Sequence, residues 1–112
     1  MNGKYVLNLV GTSEYHWSLK ARTAQTMLSS RIYAGKAAAE TDIESCRINS
    51  PDEARYERLA ANDARYYFVL KAADGEVIGT SETYPSEGAR EKGIVLCKES
   101  GPLATTTYAP TR

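Results

Sequence analysis

Hydrophobic and polar residues alternate in two segments that begin at Tyr15 and Tyr66, 51 positions apart. In YHWSLKA, residues 15–21, the apolar side chains stand at every odd position. In YYFVLKA, residues 66–72, the same series stands at every even position. Alternation of period two is typical of strands that bury one face. Because the β-rich runs YVLNLV at 5–10 and RYERLA at 55–60 precede these segments, the pattern predicts two pairs of strands.

A hairpin signal follows the second of these segments. Asp74-Gly75 favours a two-residue turn of type I′, in which both central residues need positive φ. It predicts a third strand over residues 76–84. The first copy has Thr23-Ala24-Gln25 at the same place, and none of these residues suits positive φ. We therefore expect a looser hairpin, or one of another type, in the first copy.

Helix signals follow both hairpins. Pro85-Ser86-Glu87 suits a first helical turn, since proline lacks only a donor that would be unpaired there. Ser100-Gly101-Pro102 is a stop signal, and Asn49-Ser50-Pro51 is its counterpart. Positions 39, 43 and 46, like 90, 94 and 97, fall on one face of their helix. Each unit is therefore predicted to be β-β-β-α.

Residues 4–51 and 55–102 align with each other without a gap at a shift of 51. Self-similarity over nearly the whole chain indicates two copies of one supersecondary unit. The identical pairs are Tyr5/Tyr56, Tyr15/Tyr66, Leu19/Leu70, Lys20/Lys71, Ala21/Ala72, Ser30/Ser81, Tyr33/Tyr84, Ala38/Ala89, Glu40/Glu91, Ile43/Ile94, Cys46/Cys97 and Pro51/Pro102.

The predicted fold is a single α+β domain over residues 1–112. Repeat one (4–51) and repeat two (55–102) share one mainly antiparallel sheet, with both helices packed on one face. A single unit would leave part of its sheet uncovered, so the duplicate supplies the partner, and we expect a monomer with internal pseudo-two-fold symmetry. Residues 103–110 are β-rich and are expected to add a short final strand, in the place that the first strand of repeat two takes after repeat one. There it would also cover a sheet edge.

Composition narrows the class of partner. Lysine plus arginine (14) equals aspartate plus glutamate (14), so no overall field draws the chain to nucleic acid or to an anionic membrane. No segment has the apolar core of a secretory signal or the roughly 20 apolar residues of a membrane span. The two cysteines lack metal-ligand and CxxC spacing, which favours a reducing, cytoplasmic location.

Three segments resemble the YegP-like family of small bacterial proteins of unknown function. They are LKAADGEVIGTSETY at 70–84, AAAETDIESCRINSPDEARYE at 37–57 and AREKGI at 89–94. The resemblance covers residues 4–102. It implies a sheet built from two β3-α repeats that exchange strands, within one chain in tandem members and by dimerisation in single-repeat relatives. It implies no reaction, cofactor or catalytic residue.

Repeat one departs from the pattern of this family in three places. Thr23-Ala24-Gln25 replaces the family's Asn-Gly-Glu hairpin, and Asp42 stands where a helix glycine is usual, which repeat two keeps as Gly93. Arg31 stands where repeat two has Glu82. A function that used two equivalent sites would therefore not be expected.

Catalysis has one candidate, His16, the only histidine. A nucleophilic triad would need this imidazole beside an activated Ser or Cys and an orienting acid. Because His16 alternates with Trp17, it is expected on the exposed face of its strand, away from Cys46 on the helix. The sequence favours a solvated histidine, and we predict no enzymatic activity and no cofactor.

Cys46 and Cys97 occupy equivalent places on the two helices. They would form a redox pair if their Cα atoms lay within about 7 Å, and thiol-based redox or other enzymatic chemistry is the alternative function. Buried free cysteine is more often a small apolar filler. Two cysteines and one distant histidine cannot supply four ligands, so no metal site is predicted.

A binding surface is the main functional hypothesis. Helices on one side of a sheet leave the other face open, and Lys20, Lys71, His16 and Tyr67 are expected there. Such groups would bind a peptide or protein segment or, weakly, stack the bases of a nucleic acid. The alternative is that Lys and Tyr pair across strands and support the sheet. The sequence thus predicts a small non-catalytic accessory or binding protein whose ligand it does not identify.

Overall fold

The computed structural model describes residues 3–108 and shows one seven-stranded sheet with two helices. The elements are β1 (Lys4–Val10), β2 (Glu14–Lys20), β3 (Thr26–Ser29), α1 (Lys36–Asn49), a 3₁₀ turn (Glu53–Arg55), β4 (Tyr56–Ala60), β5 (Tyr66–Lys71), β6 (Val77–Thr80), α2 (Glu87–Ser100) and β7 (Thr105–Tyr108). The strand order is β4-β5-β6-β3-β2-β1-β7. The predicted α+β architecture, with two β-β-β-α repeats sharing one mainly antiparallel sheet, is confirmed.

Both third strands are short because a serine side chain replaces a backbone partner at their ends. Ser81 Oγ accepts a hydrogen bond from the Phe68 N–H at 2.9 Å and donates one to the Glu82 carbonyl at 2.7 Å. Ser30 makes the same two contacts with Trp17 and Arg31. The predicted third strand over 76–84 is therefore reduced to β6, with one further bridge at Tyr84.

The two hairpins before these strands have the same turn, contrary to the expectation of a looser one in repeat one. In repeat two Ala72 N–H donates to the Glu76 carbonyl and Gly75 N–H to the Ala72 carbonyl. Only Gly75 has positive φ, +90°, so the turn has three residues and is not of type I′. In repeat one Ala24 adopts φ +75° and closes the same turn, despite the strain this imposes on a side chain.

The repeats meet at the centre of the sheet through very little strand pairing. β3 and β6 are joined by one register pair, Ser29 with Thr80. The helices provide the rest of the contact: α1 packs over β2 of its own repeat and over β5 and β6 of the other, and α2 packs over β5 and over β3. Each repeat therefore covers part of its partner's sheet.

Two buried tyrosines join the first strand of each repeat to the end of the opposite helix. The Tyr5 hydroxyl donates to the Gly101 carbonyl at 2.6 Å, and the Tyr56 hydroxyl donates to the Ser50 carbonyl at 2.6 Å. Ser50 and Gly101 are the C-caps of α1 and α2. These bonds satisfy carbonyls that a helix end leaves without an internal partner.

The final strand lies at one edge of the sheet, and β4 lies at the other. β7 runs parallel to β1, with Lys4 opposite Thr105 and Leu7 opposite Tyr108, whereas β4 is antiparallel to β5. The expectation that the tail strand takes the place equivalent to that of β4 is wrong. β1 already occupies that place beside β2, so β7 pairs with β1 instead. Positions 109–110 of the predicted tail strand lie outside the described residues.

The carboxylate of Asp42 in α1 has no counterpart in repeat two. The Asp42 carboxylate accepts hydrogen bonds from Trp17 Nε1 (3.2 Å) and from the Tyr33 hydroxyl. Phe68 replaces the tryptophan and Gly93 replaces the aspartate in repeat two. A Cβ at position 93 would overlap the Tyr84 ring, whose buried hydroxyl has no hydrogen-bond partner among residues 3–108. Tryptophan and aspartate thus occur together because the indole N–H needs an acceptor.

We propose that the two repeats fold as one cooperative domain, and Tyr56→Phe tests this. The variant removes a buried hydrogen bond between the repeats and should lower the free energy of unfolding by about 1 kcal/mol. Trp17 is the only tryptophan and lies in repeat one. Its fluorescence should report the same shifted denaturation midpoint as far-UV circular dichroism. Tyr67→Phe, on the uncovered face, is the control and should leave the midpoint unchanged. A Trp17 transition that stays at the wild-type midpoint would contradict cooperativity.

Burial raises the pKa of the Asp42 carboxyl, while the hydrogen bonds from Tyr33 and Trp17 oppose the shift. Since the folded chain then holds this proton more readily than the unfolded chain, ionisation lowers stability as the pH rises through the two pKa values. Asp42→Asn keeps an oxygen acceptor but cannot ionise. Its free energy of unfolding relative to wild type should therefore increase from pH 4 to pH 7 in urea titrations.

The control for that experiment is Asp42→Ala, which leaves two donors without an acceptor. It should be less stable than wild type by about 1–3 kcal/mol per buried donor at pH 4, and by less at pH 7, where ionisation lowers the stability of the wild type. An Asp42→Asn difference that does not change with pH would show that the carboxyl is not perturbed.

Candidate binding surface

The sheet has one face covered by the helices and one face without them. Trp17 and Leu19 of β2 and Phe68 and Leu70 of β5 are fully buried in the core beneath the helices. Successive side chains of a strand point to opposite faces, so the residues between and beside them point to the uncovered face. The row Ser18, Ser29, Thr80 and Val69 crosses the centre of this uncovered face.

The four residues predicted for the binding surface all lie on this uncovered face. His16 and Lys20 flank the central row on β2, and Tyr67 and Lys71 flank it on β5. Because β2 and β5 run in opposite directions, Lys20 and Tyr67 lie toward one end of the sheet, and His16 and Lys71 toward the other. β3 and β6 separate the two strands, so the members of each pair are about 14 Å apart. The structure does not bring the four together into one site.

The two predicted lysines differ in their contacts. Lys71 Nζ forms an ion pair with Glu57 Oε1 at 2.6 Å. Lys20 Nζ donates to Thr26 Oγ1 at 2.9 Å and has no carboxylate partner within residues 3–108. The cross-strand support that the sequence left open as an alternative therefore applies to Lys71 in particular. His16 and Tyr67 are half-buried opposite Asn8 and Leu59.

Sequence reasoning missed Lys4, which lies directly opposite Lys20 on β1. Lys4 is exposed, and no carboxylate in the described part of the chain pairs with it. Like charges directly opposite each other on neighbouring strands are destabilising. The register of the β1–β2 hairpin was the available signal, since a turn at residues 11–13 places residue 4 opposite residue 20.

The residues at the ends of the third strands lie on different sides of the sheet. Ser29 and Thr80 share the uncovered face, where they form the register pair between repeats. Arg31 lies beyond the end of β3, and its guanidinium carbon is 4.7 Å from the centre of the Tyr33 ring. Because Tyr33 packs into the helix-side core, Arg31 is directed toward the rim of that side.

The cysteines are free and buried, and burial raises the pKa of both thiols. Burial raises the pKa of the Cys97 thiol to about 12. Burial, with the nearby Cys97, raises the pKa of Cys46 still further. The thiolate is the nucleophilic form of cysteine, so neither side chain supplies a reactive group at neutral pH. This environment supports the apolar filler role and gives no support to thiol chemistry.

The described residues hold no cluster of metal ligands and no membrane-spanning helix. Within residues 3–108 no three side chains among His, Cys, Asp and Glu lie close enough to hold a metal ion. None of the helices in the described part of the chain has the length and apolar content needed to cross a membrane.

Comparison with known proteins places the chain in a family. The model of a domain of unknown function, DUF1508, matches residues 12–57 and again residues 61–107. A UPF0339 protein of Acinetobacter baylyi is 46% identical over 105 residues, which cover 94% of this chain and 95% of the relative. The UPF0339 protein YegP of Escherichia coli O157:H7 is 41% identical over 105 residues, 94% of this chain and 96% of the relative.

Solved structures agree with this assignment. The solution NMR structure of Escherichia coli yegP superposes with a TM-score of 0.89 at 38% identity, covering 96% of this chain and 93% of that one. The UPF0339 protein of Shewanella oneidensis also gives 0.89, at 40% identity, covering 96% and 92%.

Fold and surface together define a tandem-repeat α+β protein with one uncovered sheet face. The chain belongs to the DUF1508 family, and its resemblance to YegP-like proteins is confirmed. The names of these relatives state no reaction and no ligand.

Thiol titration under native conditions checks the role assigned to the cysteines. Because burial raises the pKa of both thiols, Cys46 and Cys97 should react with an aromatic disulfide reagent at least 100-fold more slowly than in the unfolded chain. In denaturant two thiols per chain should react at once. Fast reaction of either cysteine in the folded protein would restore the redox alternative.

Proposed function

We propose that the protein is a non-catalytic binding protein that holds an acidic, extended polypeptide segment on the uncovered sheet face. The observation that carries the proposal is the cross-strand pair Lys4 and Lys20, which stands on that face without a carboxylate partner among residues 3–108. The names of its relatives leave the ligand open, and the charge of the two lysines indicates an acidic one.

The duplication shows why this pair is unusual. Lys71 is the counterpart of Lys20 and is neutralised by Glu57. Val6 occupies the position of Glu57 in repeat one, so Lys20 has no corresponding acid. A carboxylate from a partner would relieve the repulsion between Lys4 and Lys20, which is of the order of 0.2–1 kcal/mol for directly opposed like charges.

The shape of the face suits a polypeptide. Ser18, Ser29 and Thr80 form a floor of small side chains across its centre, between the larger residues at either end. An extended segment lying over Lys4 and Lys20 would contact this floor. A nucleic acid is less well suited, because the chain has no net charge and Lys71 is already paired.

We also infer a monomeric, cytoplasmic protein with internal pseudo-two-fold symmetry. The hydrogen bonds of Tyr5 and Tyr56 to the opposite helix ends support a monomer and the internal symmetry, since one chain already provides both repeats. Two free cysteines support a reducing compartment.

The test uses ¹⁵N-labelled full-length protein and two synthetic peptides, one alternating Glu and Val over eight residues and one alternating Lys and Val. The Glu-Val peptide should shift the amides of β1 and β2, and its affinity should fall as salt is raised. Lys4→Ala/Lys20→Ala should weaken binding about tenfold, since two charge contacts are lost. Val6→Glu, which supplies the acid that repeat two has, should weaken it similarly.

Lys71→Ala is the matched control, because it removes a lysine of the same face that already has a partner. It should leave the affinity within about twofold. Equal binding of the two peptides, or of wild type and the double alanine variant, would reject the proposed surface. Tighter binding of an oligothymidylate than of the Glu-Val peptide would reject the polypeptide and assign the face to nucleic acid.

A further inference from the structure

A cleft of about 500 Å³ lies between α1 and the β5–β6 hairpin of the opposite repeat. This volume is within the usual range of small-molecule sites. The cleft exists because α1 packs across the seam, which places a helix of repeat one beside a hairpin of repeat two. Its walls are formed by α1, by the segment that precedes α1 and by the hairpin, and they include Arg31, Tyr33, Asp74, Glu76, Val77 and Ile78.

The second repeat provides an internal comparison for this lining. Three of the apolar and aromatic positions are kept, since Tyr84, Ala89 and Ala21 are the counterparts of Tyr33, Ala38 and Ala72, whereas Val77 and Ile78 correspond to Thr26 and Met27. Apart from Tyr33, every charged or hydroxyl-bearing residue of the lining differs from its counterpart in the other repeat. The pairs are Arg31/Glu82, Thr41/Lys92, Asp42/Gly93, Ser45/Leu96, Asp74/Thr23 and Glu76/Gln25. The two repeats therefore share Tyr33, Ala38 and Ala72 of this lining, whereas the polar positions and Val77 differ between them.

Charges of both signs line the cleft. The Asp42 carboxylate on α1 already accepts hydrogen bonds from Trp17 and Tyr33, which leaves Arg31, Asp74 and Glu76 to be considered. Arg31 stacks over Tyr33 and forms no ion pair with residues 3–108, so its guanidinium remains available to an anion. Asp74 and Glu76 on the hairpin are exposed and likewise form no ion pair within that range. A planar guanidinium held on an aromatic ring is well suited to bidentate binding of a carboxylate.

We propose that this cleft binds a small zwitterion of the amino-acid class. The ligand carboxylate accepts hydrogen bonds from Arg31, and its ammonium group lies against Asp74 and Glu76. An apolar side chain of the ligand contacts Val77 and Ile78. The cleft lies on the helix side of the sheet, so this proposal is independent of the polypeptide surface around Lys4 and Lys20.

The probes are L-valine and two analogues that each lack one of its charges, isobutylamine and 3-methylbutanoate. Each is titrated into the ¹⁵N-labelled full chain at low salt, and amide shifts are followed. L-valine should shift residues 41–45 and 74–78, and each analogue should bind about tenfold more weakly because one charged contact is missing. Absence of shifts with L-valine in these segments would overturn the proposal.

Two variants separate the two halves of the site. Arg31→Gln should weaken L-valine and 3-methylbutanoate about tenfold and leave isobutylamine unchanged. Asp74→Thr/Glu76→Gln, which copies the residues of the other hairpin and so preserves a turn the fold already contains, should weaken L-valine and isobutylamine and spare 3-methylbutanoate. Glu87→Gln/Glu99→Gln removes two acids from α2 and is the control for net charge.

The pattern across probes and variants decides the outcome. Isobutylamine binding as tightly as L-valine would show a merely acidic surface and overturn the zwitterion site. Loss of L-valine binding in the α2 control equal to that in the hairpin variant would do the same. Intact L-valine binding in Lys4→Ala/Lys20→Ala is expected, which keeps this result separate from the test of the sheet face.

Discussion

The fold depends on each helix covering strands of the opposite repeat. A single register pair, Ser29 with Thr80, joins the two three-stranded units at the centre of the sheet, and such a short contact between strands would not hold them. α1 and α2 pack across this seam, and Tyr5 and Tyr56 bond the first strands to the opposite helix ends. The core is therefore common to both repeats. The same crossing also creates the cleft between α1 and the second hairpin, since a helix from one unit must rest beside a turn from the other.

Much of the architecture follows from the sequence because burial and local geometry agree. Alternation predicted β2 and β5, the twin stop signals predicted the helix ends, and the gap-free repeat predicted one shared sheet. Residue propensities gave the wrong turn type for both hairpins. Ala24 was expected to exclude the geometry that Gly75 allows, yet it adopts φ +75° because the packed strands on either side fix the turn. The third strand of repeat two was predicted over residues 76–84 and is longer than β6, since nothing in the pattern shows that Ser81, like Ser30, replaces a backbone partner at the strand end.

The surface was predicted less completely than the fold. Alternation was sufficient to place Lys20, Lys71, His16 and Tyr67 on one face, but it gives no strand order. Their separation by β3 and β6 depends on long-range pairing, which a single repeat pattern does not contain. Lys4 was overlooked because it stands at the start of a strand, where composition says little and only register gives it a partner. The ion pair of Lys71 with Glu57 is also a matter of register.

A duplicated chain separates what the fold requires from what it permits. Ser30/Ser81, Tyr5/Tyr56 and Cys46/Cys97 are identical and occupy the same structural positions in both repeats. Identity alone does not give identical behaviour, because Lys20 and Lys71 are also the same residue. Glu57 neutralises the second lysine, and Val6 at the equivalent position leaves the first without an acid. One substitution beside a retained lysine is thus enough to turn a structural ion pair into an available charge. Differences between the copies, more than similarities, therefore indicate where a site that belongs to only one half of this protein would lie.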